Sequence, residues 1–162
     1  MLTSIKVEDL RNPNGSFAIV ASEYNERYVG GMVKAAIAEL KRADVKKIKV
    51  VRVPGAFEIP VVAARLCYSS SRASKRQERF QAIICLGVIL RGKTLHAELI
   101  GESVTRALME IQLENHIPVI HEVLLLEDQE QARERCLTTK HNRGTEAAQT
   151  ALKMAAVMKN LA

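Results

Sequence analysis

The chain has 162 residues, 48% hydrophobic and 26% charged, the size and composition of one globular domain, which excludes a disordered chain, a collagen-like repeat and a membrane protein. No apolar run approaches the roughly 18 residues of a membrane-crossing helix, and Met1 to Arg11, with Glu8 and Asp9, shows no secretory leader, so a cytoplasmic protein is expected. The formal charge is +6, but tryptophan is absent and aromatics are only 4%, so no nucleic-acid partner is expected; a small anionic substrate explains the modest excess equally well.

An N-terminal arm, residues 1–16, is expected to precede one domain, 17–162. Phe17 to Ala21 is a short apolar run, as in a strand buried on both faces. Val29, Met32, Val33, Ala36, Ile37 and Leu40 then recur at spacings of three and four, one face of a helix. Ile48 to Val53 reads as the second strand, stopped by Pro54-Gly55. A short helix is expected from about Glu58 to Cys67, with Pro60 in its first turn. Tyr68 to Arg79, with three serines and the basic stretch Arg72 to Arg79, reads as a polar surface insertion.

Ala82 to Leu90 is a third strand, interrupted by Gly87. His96 to Asn115 is helical, with Leu99, Ile100, Val104, Ala107, Leu108 and Ile111 on its inner face. Val119 to Leu125 is a fourth strand, followed by helices near Asp128 to Leu137 and Gly144 to Leu161. Alternating strands and helices imply an α/β fold, a four-stranded parallel sheet with helices on both faces.

In such sheets ligands bind beyond the carboxyl ends of the strands. Tyr24-Asn25, Gly55 to Glu58, Gly87 to His96 and His121 to Leu126 should therefore converge. Tyr24 fits either a stacking platform for a planar ring or an edge-of-core tyrosine. The amides of Ala56 and Phe57 suit the polar edge of a heterocycle or an anion. Glu58 serves either ligand hydroxyls or the helix dipole. Arg91-Gly92-Lys93-Thr94 before a helix offers what a phosphate requires, without matching the P-loop or the dinucleotide fingerprint. His96 follows, and an imidazole there suits proton transfer. Arg135 and Arg143 fit surface charges, and Arg135 is also placed to pair with an anion near a helix end. Cys67, Cys85 and Cys136 form no CxxC pair, and His116, His121 and His141 show no metal-ligand spacing, so neither a metal nor a cofactor is expected.

Five blocks, Phe17 to Asn25, Val53 to Pro60 (VPGAFEIP), Leu86 to His96 (LGVILRGKTLH), Glu130 to Arg135 and Asn142 to Ala148, occur in this order. Together they resemble the 6,7-dimethyl-8-ribityllumazine synthase family of riboflavin biosynthesis, from about Phe17 to Met158. The resemblance implies a flavodoxin-like three-layer sandwich and a cofactor-free transferase. It would condense 5-amino-6-(D-ribitylamino)pyrimidine-2,4-dione with 3,4-dihydroxy-2-butanone 4-phosphate, releasing phosphate and water. It implies a homopentamer, in some members a decamer or a shell of sixty, with sites shared between subunits and riboflavin synthase as a partner in some.

Carried over by position, Tyr24 stacks on the pyrimidine, and Ala56 and Phe57 give backbone contacts. Glu58 holds ribityl hydroxyls, and Val88, Ile89 and Leu90 line the ring pocket. Gly92, Lys93 and Thr94 receive the phosphate, His96 is the acid–base histidine, and Arg135 binds phosphate from the adjacent subunit. Arg143 stands where lysine is common. His121 takes the place of an aromatic that helps enclose the ring, and Glu122 that of a glycine. These two departures leave a non-catalytic lumazine- or flavin-binding paralogue, or a shell-forming scaffold, as alternatives, although neither would need His96, Arg135 and the phosphate loop together.

Overall fold

A computed structural model of the chain describes residues 10–74 and 79–161. Residues 1–9 of the expected arm, 75–78 of the basic stretch and 162 lie outside the described residues. The elements in order are β1 (Ser16–Ser22), α1 (Glu26–Arg42), β2 (Lys47–Val53), a 3-10 turn (Ala56–Glu58), α2 (Ile59–Ser71), β3 (Ala82–Leu90), α3 (His96–Asn115), β4 (Val119–Leu126), α4 (Gln129–Leu137) and α5 (Arg143–Asn160).

The sheet is wholly parallel with order β2-β1-β3-β4. From β1 the chain moves outward to β2, then back across β1 to β3 and on to β4. Right-handed crossovers make the first move cover one face and the later two the other. Accordingly α1, α4 and α5 pack with Phe17, Ile19 and Ala21 on one face, and α2 and α3 with Ala18 and Val20 on the other. This is the flavodoxin-like three-layer sandwich that the sequence leads one to expect. β1 and most of β3 are buried on both faces, which is why both read as unbroken apolar runs. Gly87 leaves β3 unbroken.

The polar insertion expected from Tyr68 begins later than anticipated, because α2 continues through Ser71. Ser70 falls on the inner face with Ala63, Leu66 and Cys67 and is buried. Its hydroxyl accepts a hydrogen bond from the Phe80 amide at 2.7 Å, so a polar residue closes the helix against the start of β3. Side chains at the two C-terminal helices fix their starts. Asp128 caps α4 by accepting from the Gln131 amide at 2.9 Å. Asn142 caps α5 at Gly144 (2.9 Å) and donates to the Cys136 carbonyl (2.6 Å), tying α5 to the end of α4. No described helix is long and apolar enough to cross a membrane.

Candidate active site

The strand order reverses between β1 and β3, the position at which open α/β sheets leave a crevice. A cavity of about 620 Å³ lies there, lined by Tyr24, Asn25, residues 55–58, Val88, Ile89, Leu90, His96, Leu99, Ile100 and Ser103.

Main-chain bonds hold its first wall. The amides of Glu23 and Tyr24 donate to the Pro54 carbonyl at 3.2 and 3.0 Å, so the exit of β1 is fastened to the exit of β2. Asn25 adopts the left-handed conformation (φ 59°, ψ 36°), one that asparagine tolerates better than most residues. Its side-chain amide donates to the Val88 carbonyl at 2.8 Å. The same residue thus starts α1 and clamps β1 to β3 across the crevice. Tyr24 is left 70% exposed, a ring free to stack on a ligand rather than on the core.

The second wall is the turn after β2. The Gly55 amide donates to Glu58 Oε2 at 2.9 Å, which orients this carboxylate at the cavity. A side chain at Gly55 would meet that oxygen at 2.8 Å and the Tyr24 ring at 3.1 Å, so only glycine lets turn and ring close together. Phe57 is 62% exposed. Val88, Ile89 and Leu90 continue β3 into the wall.

His96, the first residue of α3, is exposed and reaches the same space, followed at helical spacing by Leu99, Ile100 and Ser103. Leu99 corrects the expected inner face of α3: it is 60% exposed and turned to the cavity, while Ala97, Val104, Leu108 and Ile111 are buried. Asn25 lies in the cavity wall as part of the expected Tyr24-Asn25 segment, whereas Leu99, Ile100 and Ser103 are lining residues beyond those the sequence reading names. The recurrence 96, 99, 100, 103 was the available signal for the last three.

Gly92, Lys93 and Thr94 do not line the cavity; they lie exposed on the connection between two residues that do, Leu90 and His96. Thr94 Oγ1 accepts from the His96 amide at 3.5 Å.

The expected convergence of His121 to Leu126 on this cavity does not occur within the chain. β4 is the sheet edge beyond β3, away from the β1–β3 crevice, and His121 lies opposite Cys85 well below the strand tips. His121 Nδ1 accepts from the Val123 amide at 3.1 Å, so Nε2 carries the proton and donates to Thr105 Oγ1 at 2.7 Å. The Thr105 hydroxyl donates onward to the Gly101 carbonyl at 2.8 Å. Burial holds this imidazole below its usual range. Arg135, exposed in the last turn of α4, is likewise absent from the cavity wall.

Glu122 faces the other side of the sheet, where its Oε2 accepts from Arg143 Nε at 3.1 Å. Burial pushes its carboxyl up to about 7, against the pull of Arg143. Among the described residues no group of three or more His, Cys, Asp or Glu side chains is arranged to hold a metal ion. The three cysteines are buried and unpaired, and desolvation raises each thiol.

The arrangement can seat a planar, hydroxyl-bearing molecule between Tyr24, Phe57 and the β3 tip, beside one carboxylate and one imidazole. Compared with known families, residues 14–159 match the family model described as 6,7-dimethyl-8-ribityllumazine synthase.

Proposed function

The chain belongs to the 6,7-dimethyl-8-ribityllumazine synthase family, and on that basis we propose that it condenses 5-amino-6-(D-ribitylamino)pyrimidine-2,4-dione with 3,4-dihydroxy-2-butanone 4-phosphate. The product is 6,7-dimethyl-8-ribityllumazine, with release of phosphate and water. The observation that carries this reading is the meeting of Tyr24, Glu58, Val88 to Leu90 and His96 in one cavity at the strand-order reversal.

In the proposed reaction Tyr24 stacks on the pyrimidine and the β3 tip forms its slot. The amides of Ala56 and Phe57 meet the polar edge of the ring, and the Gly55-oriented Glu58 carboxylate accepts from ribityl hydroxyls. The 5-amino group attacks the ketone to give a carbinolamine, which loses water to an imine. Phosphate leaves by elimination. Loss of the carbinol C–H proton with phosphate leaves an enol, which tautomerises to a new ketone; the ribitylamino nitrogen adds to that ketone, and loss of a second water closes the ring. Each step moves a proton, the work assigned to His96, worth roughly 10²–10⁴-fold. Orientation of two reactive partners supplies more, up to about 7–11 kcal/mol in favourable systems.

The phosphate is assigned to Gly92, Lys93 and Thr94 together with Arg135 of a neighbouring copy. His121 is assigned to enclosing the pyrimidine in that neighbour's cavity. The absence of Arg135 and His121 from the cavity of their own chain supports a site shared between subunits of a homo-oligomer. Mixing both substrates with purified protein and following lumazine absorbance tests the function; a rate equal to the protein-free control refutes it.

A further inference from the structure

The connection from β3 to α3, residues 91–95, carries the glycine, lysine and threonine assigned to phosphate and leads into His96, yet it is exposed throughout. The bond within it, from the His96 amide to Thr94 Oγ1, is long at 3.5 Å. Arg91 anchors it. The Arg91 amide donates to the Leu126 carbonyl at 2.8 Å, carrying the β3–β4 ladder one residue beyond Leu90. Its Nε lies 3.4 Å from Glu98 Oε1 and 3.3 Å from Glu127 Oε2. Glu98 belongs to the first turn of α3, and Glu127 follows the last residue of β4. One guanidinium thus joins both ends of the connection to the exit of a second strand.

Glu98 gives this contact its weight. Its side chain is 26% exposed, and its Oε2 is buried with no hydrogen-bond partner. Removing the cation beside such a carboxylate leaves its charge uncompensated. The start of α3 has little other support, because its N-cap, Leu95, has no side chain to bond the first amides. Neither Arg91 nor Glu98 lines the cavity. Both line a separate recess of about 560 Å³ with Glu102, Thr105 and Leu125, on another flank of α3. The sequence offers Arg91 as a cation for phosphate; the structure commits it to two carboxylates.

We propose that Arg91 is a positioning residue: its guanidinium, between Glu98 and Glu127, holds the connection 92–95 and the His96 turn of α3 in place beside the cavity. Its bearing on catalysis rests on the proposed function, in which Gly92, Lys93 and Thr94 meet phosphate and His96 moves protons. Arg91 acts through those residues and touches no substrate.

Two measurements on the full chain test this. The first is amide hydrogen exchange in the opening turn of α3, where the Leu99 amide bonds the Leu95 carbonyl at 3.1 Å. Leu99 to Gly101 should exchange about fivefold faster in Arg91→Gln than in wild type, the upper range for a partly exposed ion pair. Glu98→Gln should shift them in the same direction, and Phe17 to Ala21 of β1 should not change. Equal rates at Leu99 to Gly101 overturn the proposal, as does acceleration that extends to β1, which marks general destabilisation. The second is steady-state lumazine formation. Arg91→Gln should lower kcat about tenfold through misplacement of the reacting groups, with KM for the pyrimidine unchanged. Arg91→Gln/Glu98→Gln should be no slower than Arg91→Gln, because the two side chains act as a unit. Unchanged turnover in Arg91→Gln, or losses that multiply in the double variant, overturn the proposal. So does a lower KM for the ketone phosphate in Glu98→Gln, since a freed Arg91 would then be a phosphate ligand itself. Wild type without activity refutes the proposed function instead, and the exchange rates, which need no substrate, then decide whether Arg91 holds the turn.

Discussion

Replacing Glu122 by glutamine should change how stability depends on pH, and the structure sets the size of the effect. In the folded chain the Glu122 carboxyl is raised from 4.5 to about 7, chiefly because burial disfavours its charge. Between those values the folded chain holds a proton that the unfolded chain releases, so stability falls as pH rises. The contribution is fully present below about pH 4.5 and gone above about pH 7. A gap of this size corresponds to about 3 kcal/mol, of which about 2–3 kcal/mol falls between pH 5 and pH 8. The side chain is nearly enclosed, so solvent screening reduces this little. Glutamine has a similar shape, its carbonyl still accepts from Arg143, and it does not titrate. Urea unfolding of both proteins at one protein concentration, at pH 5 and pH 8, gives the comparison. Glu122→Gln should gain about 2–3 kcal/mol on wild type between the two values. An offset that stays constant would refute the reasoning, because a buried carboxylate held by one guanidinium could not then be the source of the shift.

His96→Ala should lower turnover by about 10²-fold or more while leaving a rate above the uncatalysed one, measured by steady-state lumazine formation; unchanged kinetics would remove the proton-transfer role. Asn25→Gly keeps the left-handed backbone but loses the bond to Val88, and should cost about 1 kcal/mol; Asn25→Ala should cost more in the same urea titration, because alanine also resists the positive φ. Gly144→Ala should destabilise by about 2 kcal/mol or more, since its methyl would overlap the Met32 carbonyl and sit 2.6 Å from the Met32 Cα; an unaltered unfolding midpoint would contradict the contact between α1 and α5. Mixing His96→Ala and Arg135→Ala subunits by joint refolding should restore activity in about a quarter of the sites if each site draws on two copies. No recovery above the separate variants would show that His96 and Arg135 do not act in trans.

The parts of this molecule that were legible in its sequence are those whose physics is local. β1 and β3 show as apolar runs because both of their faces are covered, and α1 shows as a stripe because one face is covered. Pro54-Gly55 marks a turn because one residue fixes φ and the other carries no side chain. Strand order is not local, and that is where the reading of the fourth strand went astray. The rule that ligands sit at strand tips applies to all four strands, but only the pair at the reversal, β1 and β3, opens a crevice. His121 belongs to an edge strand and to the lower part of it. Leu99 was misplaced for a related reason: an apolar residue at helical spacing is read as core, and only the fold shows that this turn of α3 overhangs a cavity. The bond between Glu122 and Arg143 spans 21 positions and joins a strand to a helix, a contact that no periodicity announces.

The composition of the cavity wall bears on why the sequence carries its cations elsewhere. The lining residues include one carboxylate, Glu58, and one imidazole, His96, but no lysine or arginine. A phosphate dianion brought into that space unaided would meet more apolar surface than positive charge, and a buried anion without a partner is costly. Lys93 sits one short connection away, and Arg135 on a different face of the molecule, exposed and unengaged. In the proposed reaction, where phosphate departs before ring closure, cations at the edge of the pocket serve better than cations in its depth. On that proposal the amine and ketone would react in the slot at the tip of β3, while the charged group would stay near solvent, where it can leave. Tyr24, Phe57 and Leu99, all large and mostly exposed at the mouth, fit the same logic. Their exposure leaves these faces open to a flat ligand, as the proposed reaction requires.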